Sequence, residues 1–219
     1  MKIDILTLFP EMFDGPFATS MLKKAQDKNL VEINIHNLRD WSKDSHKTVD
    51  DRPYGGGPGM VLMIEPIDMA LTELKTKTSK VILLSAKGET YTQQKAQELS
   101  GFTHLILICG HYEDVDQRIV EHLIDEEISI GNFVLTGGEI PTMVIVDSIV
   151  RLIPGVLGDE SGLSEESHSI PDYIEYPHYT RPVDYKGWKV PEVLLSGNHA
   201  EIEKWKTKNV GRKSRVNPK

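Results

Sequence analysis

Cysteine is nearly absent: Cys109 is the only one in 219 residues. That count excludes a disulfide framework and a thiolate zinc site, and it fits a reducing, cytoplasmic compartment. Long hydrophobic runs are missing too. No apolar stretch approaches the roughly 20 residues that a bilayer-spanning helix needs, so no membrane partner is expected. Met1 to Phe9 carries Asp4 and has no basic region followed by an apolar run, so it does not read as a secretory signal. Positive charge is scarce, with 25 Lys and Arg against 33 Asp and Glu, a net charge of −8. This disfavours a protein that wraps nucleic acid indiscriminately. The distribution is uneven, however: residues 201–219 carry +5, which leaves −13 on the preceding 200 residues. A basic end on an acidic body points to a polyanionic partner, with a merely solvated terminus as the competing reading.

The usual nucleotide signatures are also missing. Gly55-Gly56-Gly57-Pro58-Gly59 is followed by Met60 and not by Lys-Ser/Thr, so it is not a phosphate-binding P-loop. No Gly-x-Gly-x-x-Gly opens a helix after a strand, as a dinucleotide site requires. The eight histidines show no metal-ligand spacing, and no metal site is assigned.

What is present is enough for a sizeable core, 39% hydrophobic residues over the length of one large domain or a domain with an appendage. Lys2–Phe9 is a β-branched and apolar run stopped by Pro10, and Glu11–Lys28 has helical spacing. Val31–Asn37 alternates like a half-buried strand. Six of the seven residues from Pro53 to Gly59 are Gly or Pro, so no regular element passes through them. Strands are then predicted at Lys80–Leu84, Thr103–Cys109 and Glu126–Ile130, and helices at Tyr91–Leu99, Asp114–His122 and Gly138–Leu152. Strands buried on both faces with helices between them predict an α/β fold around a mostly parallel sheet. The helix Gly138–Leu152 is apolar nearly all round, which predicts burial in its own core or against another subunit. Hydrophobicity collapses over residues 157–175. Three parts are therefore expected: an α/β domain at 1–158, a mobile linker at 159–175 and a small C-terminal piece at 176–219.

Glycine-rich turns stand just after two of the predicted strands, Gly110 after one and Gly131, Gly137 and Gly138 after the other. In an open parallel sheet the loops at the carboxyl ends of strands line the ligand crevice, and glycine lets backbone approach a ligand closely. Tight turns alone explain each glycine equally well; together they point to a small-molecule site without naming the molecule. Asp147 and Arg151 sit four apart on the apolar helix. They suit either a buried pair that sets helix register or a charge waiting for a ligand.

Several longer segments carry more information. Asp50-Asp51-Arg52-Pro53-Tyr54-Gly55-Gly56-Gly57-Pro58-Gly59-Met60 and Ser129-Ile130-Gly131-Asn132-Phe133-Val134-Leu135-Thr136-Gly137-Gly138-Glu139-Ile140-Pro141 are two of them. Ile153-Pro154-Gly155-Val156-Leu157-Gly158, Pro177-His178-Tyr179-Thr180-Arg181-Pro182 and Leu194-Leu195-Ser196-Gly197-Asn198-His199-Ala200-Glu201-Ile202 complete the set. In order and spacing the chain, from Lys2 to about residue 212, resembles the bacterial tRNA (guanine-N1)-methyltransferases. The resemblance implies the SPOUT class, whose α/β domain ties a deep trefoil knot at the cofactor site. It implies S-adenosyl-L-methionine as methyl donor, and as target N1 of the guanine immediately 3′ of the tRNA anticodon. The implied partners are tRNA and a second copy of the chain that shares each active site, with no DNA. Mg2+ is implied in the reaction, without a visible dedicated ligand set.

Carried over by position, the cofactor lies against Leu84–Gly88, Gly110–Glu113 and Ile130–Pro141. The residues so marked are Leu84, Ser85, Gly110, Tyr112, Glu113, Ile130, Gly131, Asn132, Phe133, Val134, Leu135, Gly137, Gly138 and Pro141. Arg151 matches the family's catalytic arginine, and Asp50, His46 and Gly59 match positions near the target base, with Arg181 also on the substrate side. The chain departs from the family pattern in three places. The general base, an Asp before a Ser in the family, aligns with Glu166 in Glu165-Glu166-Ser167, with Asp159 as the other candidate. The Ser-Pro-Gln-Gly cofactor loop reads Ser85-Ala86-Lys87-Gly88. The helical C-terminal domain is expected to be shortened after Asn198–Lys208, with the basic residues Gly211-Arg212-Lys213-Ser214-Arg215 following. Rival readings are a SPOUT enzyme with another target base, a non-catalytic RNA-binding relative, and an unrelated nucleotide-binding protein.

Overall fold

A computed structural model describes residues 1–159 and 161–211. The chain divides into two compact units, Met1–Gly158 and Asp159–Lys219. In the first unit the elements run β1 (Lys2–Thr7), α1 (Asp14–Phe17), α2 (Ser20–Asp27), β2 (Glu32–Asn37), β3 (Asp50–Asp51), β4 (Val61–Leu62) and α3 (Ile64–Leu74). They continue with β5 (Ser79–Thr90), α4 (Gln93–Ser100), β6 (His104–Cys109), β7 (Asp114–Val115), α5 (Gln117–His122), β8 (Glu126–Ser129) and α6 (Glu139–Val150).

Five strands form one sheet in the order β2-β1-β6-β5-β8, parallel at every pairing. The central strand, β6, is His-Leu-Ile-Leu-Ile-Cys and is buried along its whole length. Side chains alternate across a strand, so each strand feeds two cores. Ile3, Ile5, Ile82, Leu84, Leu105, Leu107 and Ile128 face one way and pack with Leu22 and Ala25 of α2, Leu99 of α4, and Ile145, Val146, Ile149 and Val150 of α6. Leu6, Val81, Leu83, Ile106 and Ile108 face the other way and pack with Ile67, Ala70 and Leu71 of α3 and Ile119 of α5. The result is a three-layer α/β arrangement, which is what strands apolar on both faces demand. A small second sheet, β3-β4-β7, pairs β3 with β4 antiparallel and β4 with β7 parallel.

Several elements differ from the sequence expectation. The single helix expected over Glu11–Lys28 is broken into a 3-10 turn at Pro10–Phe13 and the separate helices α1 and α2. Thr19 is extended and Ser20 has φ +53, so helical geometry cannot run through them. The helix expected from Tyr91 starts at Gln93, because Thr92 caps it by accepting from the Lys95 N–H at 3.3 Å. The helix expected from Asp114 starts at Gln117 behind the cap Asp116, and Asp114–Val115 is strand β7. The helix α3 and strands β3 and β4 were not anticipated, although Ile67, Ala70 and Leu71 of α3 show helical spacing.

Asp159 and the described residues that follow belong to one compact unit. It holds a 3-10 turn at Ser161–Ser164, a hairpin of β9 (Asp184–Tyr185) with β10 (Trp188–Lys189), and helices α7 (Glu192–Leu195) and α8 (His199–Asn209). Within 161–175, His168 N–H donates to Tyr173 O at 2.7 Å and Glu175 N–H to Ser167 Oγ at 3.1 Å. The basic residues Arg212, Lys213 and Arg215 lie outside the described residues.

Candidate active site

The carboxyl ends of β6, β8 and the first half of β5 meet at one pocket of about 150 Å³. Leu84 and Ser85 line it from β5, Gly110, Tyr112 and Glu113 from the loop after β6, and Ile130, Gly131, Phe133, Val134, Leu135, Gly137, Gly138 and Pro141 from the loop after β8 and the start of α6. Of the cofactor residues carried over from the family, Asn132 is the one that does not line it; its side chain is exposed. Ala86, Lys87, His111 and Thr136, inside the spans carried over but not named singly, also line the pocket, as do Asp114, Ile128 and Ser129 just outside those spans. Their adjacency in sequence to marked residues was the available signal.

The pocket is built by close approach of backbones. Gly138 N–H donates to Gly110 O at 2.7 Å, and Gly110 N–H to Leu84 O at 3.3 Å. His111 and Gly137 form an isolated antiparallel bridge. A Cβ at Gly110 would stand 2.8 Å from Leu84 O, and one at Gly138 would stand 2.7 Å from Cys109 Cα. At these glycines the wall is bare backbone, held together by its own hydrogen bonds. Tyr112 holds φ +61, a left-handed conformation that costs a non-glycine residue roughly 1–3 kcal/mol and is typical of functional sites.

Behind this wall sits a buried polar cluster. Glu139, 1% exposed, accepts from Thr7 Oγ1 at 2.8 Å, and Thr7 Oγ1 accepts from the Phe9 N–H at 2.9 Å, so the end of β1 is tied to the start of α6. His111 Nδ1 lies 3.8 Å from Glu139 Oε2 and is the one buried side-chain polar atom without a hydrogen bond among the described residues. The Cys109 thiol contacts Thr142 Oγ1 at 3.2 Å; burial and the nearby Glu139 charge push its pKa up, with hydrogen bonds to Thr142 and Thr7 opposing. Glu139 falls inside the Gly137–Pro141 motif, yet sequence reasoning gave it no role.

Gly59 has φ +77, and a Cβ there would stand 2.5 Å from Glu113 Cγ, so the glycine-rich loop reaches the pocket's rim; Glu113 N–H donates to Met60 O at 3.1 Å. Asp50, half-buried, lies in β3 opposite Leu62. His46 is exposed in a loop fixed by Asp44, whose carboxylate accepts from Ser42 Oγ at 2.5 Å, Thr48 Oγ1 at 2.8 Å and the Thr48 N–H at 2.8 Å. Arg151 caps the end of α6 and is half-buried, its N–H donating to Asp147 O at 3.2 Å. Asp147 is exposed, so it does not form a pair buried within this chain. Glu166, half-buried, and Arg181, exposed, belong to the second unit. Among the described residues no group of three His, Cys, Asp or Glu side chains is placed to hold a metal, and no helix is long and apolar enough to cross a membrane.

The chain is 59% identical over 214 residues to the tRNA (guanine-N(1)-)-methyltransferase of Dictyoglomus turgidum, covering 98% of this chain and 86% of that protein. The proteins of the same name from Bacillus pumilus and Bacillus subtilis are 59% and 56% identical over 211 residues, 95% of this chain and 86% of each. The profile of the family described as tRNA (Guanine-1)-methyltransferase TrmD matches residues 1–218, and the chain belongs to that family.

Proposed function

We propose that this chain transfers the methyl group of S-adenosyl-L-methionine to N1 of the guanine immediately 3′ of the tRNA anticodon. The observation that carries the reading is the gathering of Leu84–Ser85, Gly110–Glu113 and Ile130–Pro141 into one backbone-walled pocket in a member of this family. The residues fit such a ligand. Backbone of Ile130, Gly131, Phe133 and Leu135 lines the pocket and suits the adenine end of the donor, and the Glu113 carboxylate suits a cationic amino-acid or sulfonium end. The bound donor supplies an electrophilic sulfonium methyl, which the N1 lone pair takes as the carbon–sulfur bond breaks. In this reading Glu166 accepts the N1 proton as general base, and the Arg151 guanidinium stabilises charge building on the guanine oxygen. Asp50, His46 and Gly59 hold the target base, and Arg181 contributes to the tRNA contact.

The SPOUT knot belongs to the same proposal. The return of Gly137–Gly138 across the end of β6 is the crossing that supports it. So does a homodimer with shared active sites: Ile140 and Val144 of α6 are 46% and 44% exposed, and Phe17, Leu22 and Met143 line an apolar groove beside them. Exposed Phe133, Val134 and Leu135 at the pocket rim also await a cover. Mg2+ and a cytoplasmic location complete the reading.

Transfer of labelled methyl to tRNA transcripts with guanine or adenine after the anticodon tests it. Wild type should methylate the guanine transcript alone. Glu166→Ala and Arg151→Gln should each lose roughly 10²-fold or more in rate, Glu166→Asp should retain activity, and Asp159→Ala should stay near wild type. Methylation of another base would move the reading to a different target; no transfer by wild type would sink it.

A further inference from the structure

The segment Ser85–Gly88 leaves the sheet. Leu84 and Glu89 both pair with Ile128, so four residues loop out of the β5–β8 ladder and then rejoin it. Gly88 brings the chain back against the neighbouring strand so closely that a Cβ would lie 2.5 Å from the Glu127 carbonyl carbon. Both ends of the loop are thus fixed by backbone. Its tip, Lys87, has one local bond, an N–H donated to Ser85 Oγ at 3.2 Å. The other attachment is distant in sequence: Lys87 Nζ donates to Asp114 Oδ2 at 2.5 Å.

The two ends of that ion pair differ in stiffness. Asp114 is 19% exposed, sits in β7, and uses its second oxygen to accept the Val115 N–H at 2.8 Å. Lys87 is 68% exposed, at the end of a four-carbon stem with several rotatable bonds. Asp114 pairs with Val61 of β4, and β4 pairs with β3, which carries Asp50. Lys87 and Asp114 both line the pocket, one from the Ser85–Gly88 loop and the other from β7. The ion pair therefore joins the loop on one side of the pocket to the small sheet on the other.

We propose that Lys87 and Asp114 form a clasp that positions the Ser85–Gly88 loop for the methyl donor and ties it to the sheet bearing Asp50. Neither acts on the reacting atoms; both are positioning residues. The proposal rests on the reading of the pocket as the S-adenosyl-L-methionine site. The hydrogen bond and charge of Asp114, with Glu127 adding to them against partial burial, raise the Lys87 pKa and so favour its charged form. Ala86 and Gly88 place no restraint like that of proline on the chain. Loosening the clasp leaves more of the loop's freedom to be lost on binding, which lowers affinity.

Calorimetric binding of S-adenosylhomocysteine to the whole protein, at low and high salt, tests the clasp. An exposed pair of this kind is worth roughly a two- to fivefold change in affinity. Lys87→Met and Asp114→Asn should each weaken binding by about that factor at low salt, and the double variant should bind no more weakly than either single. Lys87→Arg should restore wild-type affinity, and the differences should shrink at high salt. Single variants that bind like wild type, losses that add in the double, or an Arg variant that behaves like Met would overturn the clasp while leaving the pocket reading intact. A fall in melting temperature shared by all the variants, Arg included, would mark a role in folding and overturn it as well. Failure of wild type to bind the ligand would remove the pocket reading and the clasp with it.

Discussion

Adding one methyl group at Gly138 should unsettle both the fold and the pocket. A Cβ there would stand 2.7 Å from Cys109 Cα, 2.8 Å from Gly110 N and 3.0 Å from Cys109 C, all main-chain atoms of the central strand and the turn after it. Gly138 has φ −81 and ψ −3, a conformation any residue adopts, so the cost of Gly138→Ala is steric and not torsional. Relief requires the strand end and the helix start to separate, which stretches the 2.7 Å bond from Gly138 N–H to Gly110 O. Overpacking of this kind costs about 1–3 kcal/mol, and replacing glycine by alanine at a helix cap adds several tenths. The stiffer unfolded chain returns about 0.4–1 kcal/mol. The net loss is about 1–3 kcal/mol, or a fall in melting temperature of roughly 3–10 °C for a chain of this size. Gly158→Ala is the control, because a Cβ at Gly158 meets nothing within 4 Å. Thermal unfolding followed by circular dichroism, with S-adenosylhomocysteine titrations in parallel, reads both effects. Gly138→Ala should melt earlier and bind more weakly, while Gly158→Ala stays at or slightly above wild type. A Gly138→Ala protein that melts and binds like the control would refute the claim that this backbone contact builds the site.

Acid stability should depend on Asp4. The buried Asp4 carboxylate meets His104 Nε2 at 2.7 Å, Lys2 Nζ at 2.8 Å, His36 Nε2 at 2.9 Å and Asn34 Nδ2 at 3.1 Å. Burial pushes its pKa up, but the bonds from His36, Lys2, His104 and Asn34 outweigh burial and hold it well below the usual carboxylate range. A depressed folded-state value gives stability that is present above the unfolded value near 4 and is lost as pH falls toward the folded one. Asp4→Asn should therefore be less stable by about 3 kcal/mol at neutral pH, with the gap narrowing below about pH 4. Urea titrations across that range decide it, and a gap independent of pH would count against the linkage. Cys109, 2% exposed and with its thiol pKa pushed up by burial, should resist Ellman's reagent in the native protein and react at once in denaturant. Native labelling should be slower by roughly 10³-fold or more; fast native labelling would mean that the end of β6 opens readily.

Much of the architecture was legible before folding was considered. The runs Lys2–Phe9 and Thr103–Cys109 read as strands, the second apolar enough to be covered on both faces, and parallel pairing follows from the helices between the strands. Glycines after the strands marked the pocket edge of the sheet, and the long motifs identified the family, because such patterns are local in sequence. Boundaries were less legible, since caps decide them. Thr92 and Asp116 each delay a helix, and Thr19–Ser20 breaks one, through main-chain geometry that periodicity does not register. What the tertiary structure alone decided is everything that joins residues distant in the chain. Thr7 meets Glu139 across 132 positions, Gly138 rests on Cys109 and Gly110, and Lys87 finds Asp114 27 positions away. A hydrogen bond or a backbone contact acts over about 3 Å of space, and no spacing along a strand or helix reports which loops the fold will bring within that distance.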